Sequence, residues 1–125
     1  MSTRAIIQSP CKKKEWDNYD AYTHHLAVDL GMTNMEATVF AEILRQRYIL
    51  SQEMPMAWVQ KLILSPKVTD GIRAKYGMTT QYFQVIKSKL RKAGVIIGKD
   101  VNPQYILNVP INRETFNLLL TTRFS

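Results

Sequence analysis

Residues 77–96, GMTTQYFQVIKSKLRKAGVI, decide the fold because they carry two patterns at once. Phe83, Ile86 and Leu90 recur at i, i+3 and i+7, which gathers apolar side chains on one face of an α-helix. Thr79 stands where a helix is capped, and Gly94 where one stops. The same turns hold Lys87, Lys89, Arg91 and Lys92 with no acidic residue among them. Like charges three or four positions apart on a helix repel by a few tenths of a kcal/mol, so a solvated helix usually mixes its signs. A basic face open to water is the plainer reading of this row. A face that meets a polyanion is the sharper one.

Upstream, SPKVTDGIRAKYG (65–77) places Ser65 as a cap, Pro66 at the first helical position and Gly77 just past the end. Val68, Ile72 and Tyr76 fall four apart on one face of this short helix, and a close helix crossing would account for Gly71 within it. Before it, MAWVQKLILS (56–65) has β-branched and aromatic residues that suit a strand, its periodicity equally allows a helical turn, and a short strand near Lys61 to Leu64 is the favoured reading. SQEMP (51–55) is loop. In TNMEATVFAEILRQRYIL (33–50), Thr33 and Glu36 have capping-box spacing, and Met35, Val39, Phe40, Ile43 and Leu44 follow the helical period, predicting a helix over 34–48. Trp16, Tyr19, Tyr22 and Leu26 predict another from Glu15 to about Leu30, ended by Gly31.

Downstream, VIIGKDVNPQYILNV (95–109) reads as a strand, a turn over Lys99 to Pro103, and a second strand. NRETFNLLLTTRF (112–124) has Asn112 as a cap, with Phe116, Leu119, Leu120 and Phe124 on one face. Residues 1–14 read as an arm in which Lys12, Lys13 and Lys14 either grip phosphate or are simply solvated. The organisation is therefore an N-terminal arm and helix (1–32), a central domain (33–111) and a C-terminal helix (112–125).

A chain of 125 residues, 46% hydrophobic and 22% charged, has the size and composition of one globular domain. No apolar run approaches the roughly 20 residues of a membrane span. MSTRAIIQSPCKKKEW lacks a signal-peptide apolar core, so the chain is expected to stay where it is made, in the cytoplasm. Cys11 is the one cysteine, which leaves no internal disulfide and suits a reducing compartment. The net charge of +7 is unevenly placed: residues 1–60 hold 6 Lys and Arg against 7 Asp and Glu, residues 61–125 hold 11 against 3. Basic charge confined to one half points to nucleic acid or another anionic surface.

In order, residues 33–109 read helix, short strand, helix, turn, helix, strand, turn, strand. In this order the chain resembles the winged helix-turn-helix superfamily, and within it the MarR-like and phage or plasmid DNA-binding modules. Val68, Gly71, Gly77, Leu90, Gly94 and Val95 stand where that pattern has its apolar, small and turn positions. The resemblance implies a mainly α fold with a small β-hairpin wing, flanked here by N- and C-terminal helices. It further implies a duplex DNA-binding protein of transcription regulation or genome replication and packaging, in the nucleoid or the cytoplasm of a virus-infected cell.

In such a fold the helix over 80–93 enters the major groove. With Phe83, Ile86 and Leu90 inward, Gln81, Gln84, Ser88 and Arg91 or Lys92 turn outward, flanked by Thr80 and Lys87. Gln suits adenine and Arg or Lys suits guanine, because their donors match those base edges. Lys67, Arg73 and Lys75 are expected beside the DNA backbone, and Lys99 on the wing. Tyr82 and Val85 are expected to be partly packed, and Asp17 and Asp20 to be ordinary surface charge. The two apolar terminal helices offer surface for a homodimer or for each other. Catalysis is not expected: adjacent His24 and His25 diverge on any regular element, and no zinc spacing, phosphate loop or nucleophile elbow is present. No cofactor is implied. The alternatives are a winged-helix docking module in a polymerase or viral assembly, facing an acidic protein, and an RNA-binding protein.

Overall fold

In the computed structural model, which describes residues 16–107, the chain runs through five helices into a short hairpin. The elements are α1 (Asn18–Leu30), α2 (Asn34–Ser51), α3 (Met56–Leu62), α4 (Pro66–Tyr76), α5 (Thr80–Lys92), β1 (Ile96–Ile97) and β2 (Asp100–Val101). The chain is thus mainly helical with a small antiparallel hairpin, as its sequence predicts. The arm over 1–14 and the helix expected after Asn112 lie outside the described residues.

α1 and α2 both open with reciprocal capping boxes. Thr33 and Glu36 exchange side-chain and backbone hydrogen bonds at 3.1 and 3.2 Å, and Asp17 and Asp20 do the same ahead of α1. α2 buries Val39, Phe40, Ile43 and Leu44, and α1 lies along it with Tyr19 and Tyr22 inward. Each large side chain withdrawn from water in this way stabilises the fold by roughly 1.5–3 kcal/mol. The Tyr22 hydroxyl donates to the Tyr105 carbonyl at 3.0 Å, tying α1 to the segment after the hairpin. The aromatic stripe that offered surface to a second copy is therefore used largely inside the chain. Trp16 stays outside and stacks on His24 with ring centroids 4.4 Å apart.

Four local expectations are corrected. The segment expected as a strand near Lys61 to Leu64 is instead the last turn of helix α3 and the turn after it, because Val59 and Ile63, four apart, both point into the core. Pro55 precedes the helix in extended conformation, so its missing amide costs no helical hydrogen bond. Ser65 does not cap α4 with its side chain; its hydroxyl donates to the Leu62 carbonyl at 2.7 Å. The hairpin turns at Gly98 and Lys99 rather than over Lys99 to Pro103: Ile97 pairs with Asp100 and Ile96 with Val101. Gly98 at φ +63 supplies the left-handed residue that so tight a turn uses, and a 3-10 turn at Pro103–Tyr105 stands where the second strand was expected. Finally, among the described residues no helix crosses closely at Gly71, where an added Cβ would meet nothing within 4 Å.

α5 packs as its sequence predicts, with Phe83, Ile86 and Leu90 buried and Thr79 accepting from the Tyr82 amide at 3.1 Å. The hairpin behind it is fixed by a fork: Arg47 on α2 donates through Nε and Nη2 to the two oxygens of Asp100, each at 2.9 Å. The Asn102 amide closes the other side by donating to the Gly94 carbonyl at 2.8 Å. Two strands of two residues would not hold their place alone.

Open space beside Gly71 gives a direct test of the corrected packing. Gly71→Ala should stabilise the protein by about 0.5–1 kcal/mol in urea unfolding, because the helix gains propensity without a clash. A loss of stability would mean that a neighbour does approach α4 at this point.

Candidate nucleic-acid interface

From Gly71 to Lys99 the chain has no Asp or Glu. With its apolar stripe buried, α5 leaves Thr80, Gln81, Gln84, Ser88, Arg91 and Lys92 exposed, as the helical period predicts. Tyr82 and Val85, expected to be partly packed, are 44% and 52% exposed. They continue the outward surface on the flank away from Lys87. Arg91 donates to the Gly98 carbonyl at 3.3 Å, which links the helix to the hairpin turn.

The expected cations separate into two groups. Lys87, Arg91 and Lys99 come together around a cleft of about 370 Å³, joined by Lys61. Lys61 is missed by the sequence reading because the strand assigned there gave no outward helical position. The spacing of Val59 and Ile63 would have revealed it. Its ammonium lies 5.2 Å from the centroid of the exposed Trp58 ring. Lys87 is half-buried, and its pKa is lowered by burial first and by the Arg91 charge second.

Lys67, Arg73 and Lys75 do not join that group. Lys67 and Lys75 border a separate groove whose wall also carries Glu42 and Glu53. Lys75 donates to Glu42 at 2.9 Å, and Arg73 pairs with Asp70 at 3.1 Å. Burial disfavours the Lys75 charge, but the hydrogen bond to Glu42 together with the charges of Glu42 and Tyr76 outweighs this and raises its pKa.

Three acids of the first half, Asp17, Asp20 and Glu42, are paired internally, whereas Asp29 and Glu53 stand exposed. Arg45 lies 2.8 Å from Glu42, 2.9 Å from Asp17 and 3.1 Å from Asp20, so the two aspartates are not loose surface charge. Burial opposes the Arg45 charge, yet the Glu42 hydrogen bond and the Asp20 and Asp17 charges outweigh it and raise its pKa. Burial likewise pushes the Asp20 carboxyl up, and Arg45 only partly reverses the shift. Among the described residues, Lys61, Lys87, Lys89, Lys92 and Lys99 form no ion pair, and no group of His, Cys, Asp and Glu is arranged to hold a metal. No described helix is long and apolar enough to cross a membrane.

Comparison of the chain with known family models, curated proteins and solved structures finds no match. The winged helix-turn-helix resemblance stays an expectation from the sequence; of its order of elements, α4, α5 and the hairpin are present, while helix α3 replaces the expected strand.

Lys75 separates internal pairing from ligand contact. Lys75→Met should lower stability by about 0.5–1 kcal/mol, as for a half-exposed ion pair, and leave the salt dependence of any polyanion binding unchanged. A shallower salt dependence with unaltered stability would return Lys75 to the interface.

Proposed function

We propose that the protein binds duplex DNA, laying the outward face of α5 in the major groove, with the hairpin turn and the cations around it on the phosphate backbone. One observation carries this reading: α5 presents an exposed polar and basic row, beside a hairpin, with no carboxylate in the surrounding sequence. A 13-residue helix is about 20 Å long and fits a groove about 12 Å wide. Gln81 and Gln84 carry donors and acceptors suited to adenine edges, and the exposed Val85 offers an apolar contact for a thymine methyl. Lys61, Lys87, Arg91, Lys92 and Lys99 supply charge that positions without reading sequence. The role is that of a transcription regulator or a genome replication or packaging factor.

Exposed Tyr82 and Val85 also favour a second reading, in which α5 docks onto an acidic protein of a polymerase or viral assembly. Apolar contact would then carry more of the affinity, and salt less.

The two readings part on salt. With about five phosphate contacts, log affinity for duplex DNA should fall against log salt with a slope of about −5. Gln84→Ala should weaken a preferred site by about 1–3 kcal/mol while leaving random duplex nearly unaffected. Equal loss on all sequences would identify a protein that grips DNA without reading it. A flat salt response, or no duplex binding at low salt, would contradict the proposal.

A further inference from the structure

α3, α4, α5 and the hairpin turn meet around the 370 Å³ cleft, and its wall carries Lys61, Lys87, Arg91 and Lys99 without a single acid. The rest of the lining is Leu64, Pro66 and Ser65, and the Ser65 hydroxyl is already engaged by the Leu62 carbonyl. Four cations from three separate parts of the chain thus share one cavity. None of them has an ion-pair partner among the described residues, so an anion entering the cleft would meet four uncompensated positive charges.

The cations are also positioned. Arg91 is fixed by the Gly98 carbonyl, the Lys61 ammonium lies 5.2 Å from the Trp58 ring centroid, and that of Lys87 lies 5.9 Å from the Phe83 centroid. Lys99 stands in the turn next to Gly98, in a hairpin anchored by the Arg47–Asp100 fork. Groups restrained before binding lose less freedom when a ligand arrives. Burial and the Arg91 charge both work against the Lys87 charge and lower its pKa, a cost that a bound anion would relieve. Phosphate suits such a cluster because its oxygens spread negative charge over several acceptors, which Lys and Arg reach from different sides. The volume lies at the lower end of the range of about 300–1,000 Å³ of small-ligand sites, room for more than one phosphate group.

We infer that this cleft is a binding site for linked phosphates, supplied either by the backbone of a nucleic-acid strand or by a free polyphosphate. The nucleic-acid form rests on the duplex-binding reading above; the site itself does not. Arg91 belongs both to the outward row of α5 and to the cleft wall, so a strand held on α5 would run past the cavity.

Calorimetric titration of the full chain with tripolyphosphate, at fixed ionic strength, tests the site. One equivalent should bind. Lys61→Gln and Lys99→Gln, both at exposed side chains, should each weaken it about tenfold, the loss for one charge-assisted contact. Lys89→Gln, on α5 outside the cleft, should change it by less than about twofold. Absence of saturable binding, or an equal loss from Lys89→Gln, overturns the site and leaves only diffuse charge. A second arm uses a labelled duplex. Displacement by tripolyphosphate identifies the strand backbone as the source, and tripolyphosphate binding without displacement identifies a free polyphosphate; both outcomes support the site. Tripolyphosphate binding with no duplex binding would retire the DNA reading alone. Duplex binding indifferent to Lys61→Gln and Lys99→Gln, with no tripolyphosphate binding, would retire the cleft alone.

Discussion

Glu42, near the middle of α2, accepts hydrogen bonds from Arg45 at 2.8 Å, Gln46 at 2.8 Å and Lys75 at 2.9 Å, with its side chain 5% exposed. Arg45 then reaches the two aspartates at the start of α1, so one ion network joins α1, α2 and α4. Burial pushes the Glu42 carboxyl up, but hydrogen bonds from Gln46, Lys75 and Arg45 outweigh it and hold its pKa below the ordinary value. The arrangement is demanding, because removing one member of a buried ion pair leaves an uncompensated charge at a cost of about 3–5 kcal/mol. Asp17, Asp20 and Glu42 are paired with Arg45 and Lys75 and not with the cations of α5 and the hairpin.

The second charged contact complements the first. Arg47 leaves α2 five residues after Glu42 and holds Asp100, so the same helix that collects the acids also fixes the hairpin. Asp100 is the first acid after the long gap from Asp70, and it too is engaged internally. The basic character of α5 and the hairpin comes from the excess of Lys and Arg over acids in residues 61–125, and the pairing of Asp100 with Arg47 leaves that excess uncompensated. α5 contributes the shape: three buried apolar residues orient the helix, and the opposite face follows from the helical period.

Much of this was legible in the sequence where a single local rule applied. The Thr33–Glu36 box, the stripe of Phe83, Ile86 and Leu90, and the stops at Gly77 and Gly94 each depend on residues within about two turns of one another. The region over 56–64 was misread because a short run rich in Val, Ile, Leu and Trp satisfies both periods; tertiary burial of Val59 and Ile63 selects the helix. Turn chemistry was placed too far along because Asn102 and Pro103 resemble turn formers, whereas Gly98 makes the turn and Asn102 hydrogen-bonds back to Gly94. Of the candidate site, the α5 row was readable from periodicity. The division of the remaining cations was not, since Lys75 meets Glu42 from 33 positions away and Lys61 meets Lys99 only through folding.

The proposed use of α5, whose basic row lies apart in sequence from the acids paired around Arg45, is most directly tested by mapping amide chemical shifts during titration with a short duplex. Shifts should concentrate along the exposed face of α5, at residues 61–66 and around Gly98 and Lys99, while α1 and the Asp17–Arg45–Glu42 network stay unchanged. Shifts centred on α1, or on the groove beside Glu42 and Lys75, would contradict binding through α5.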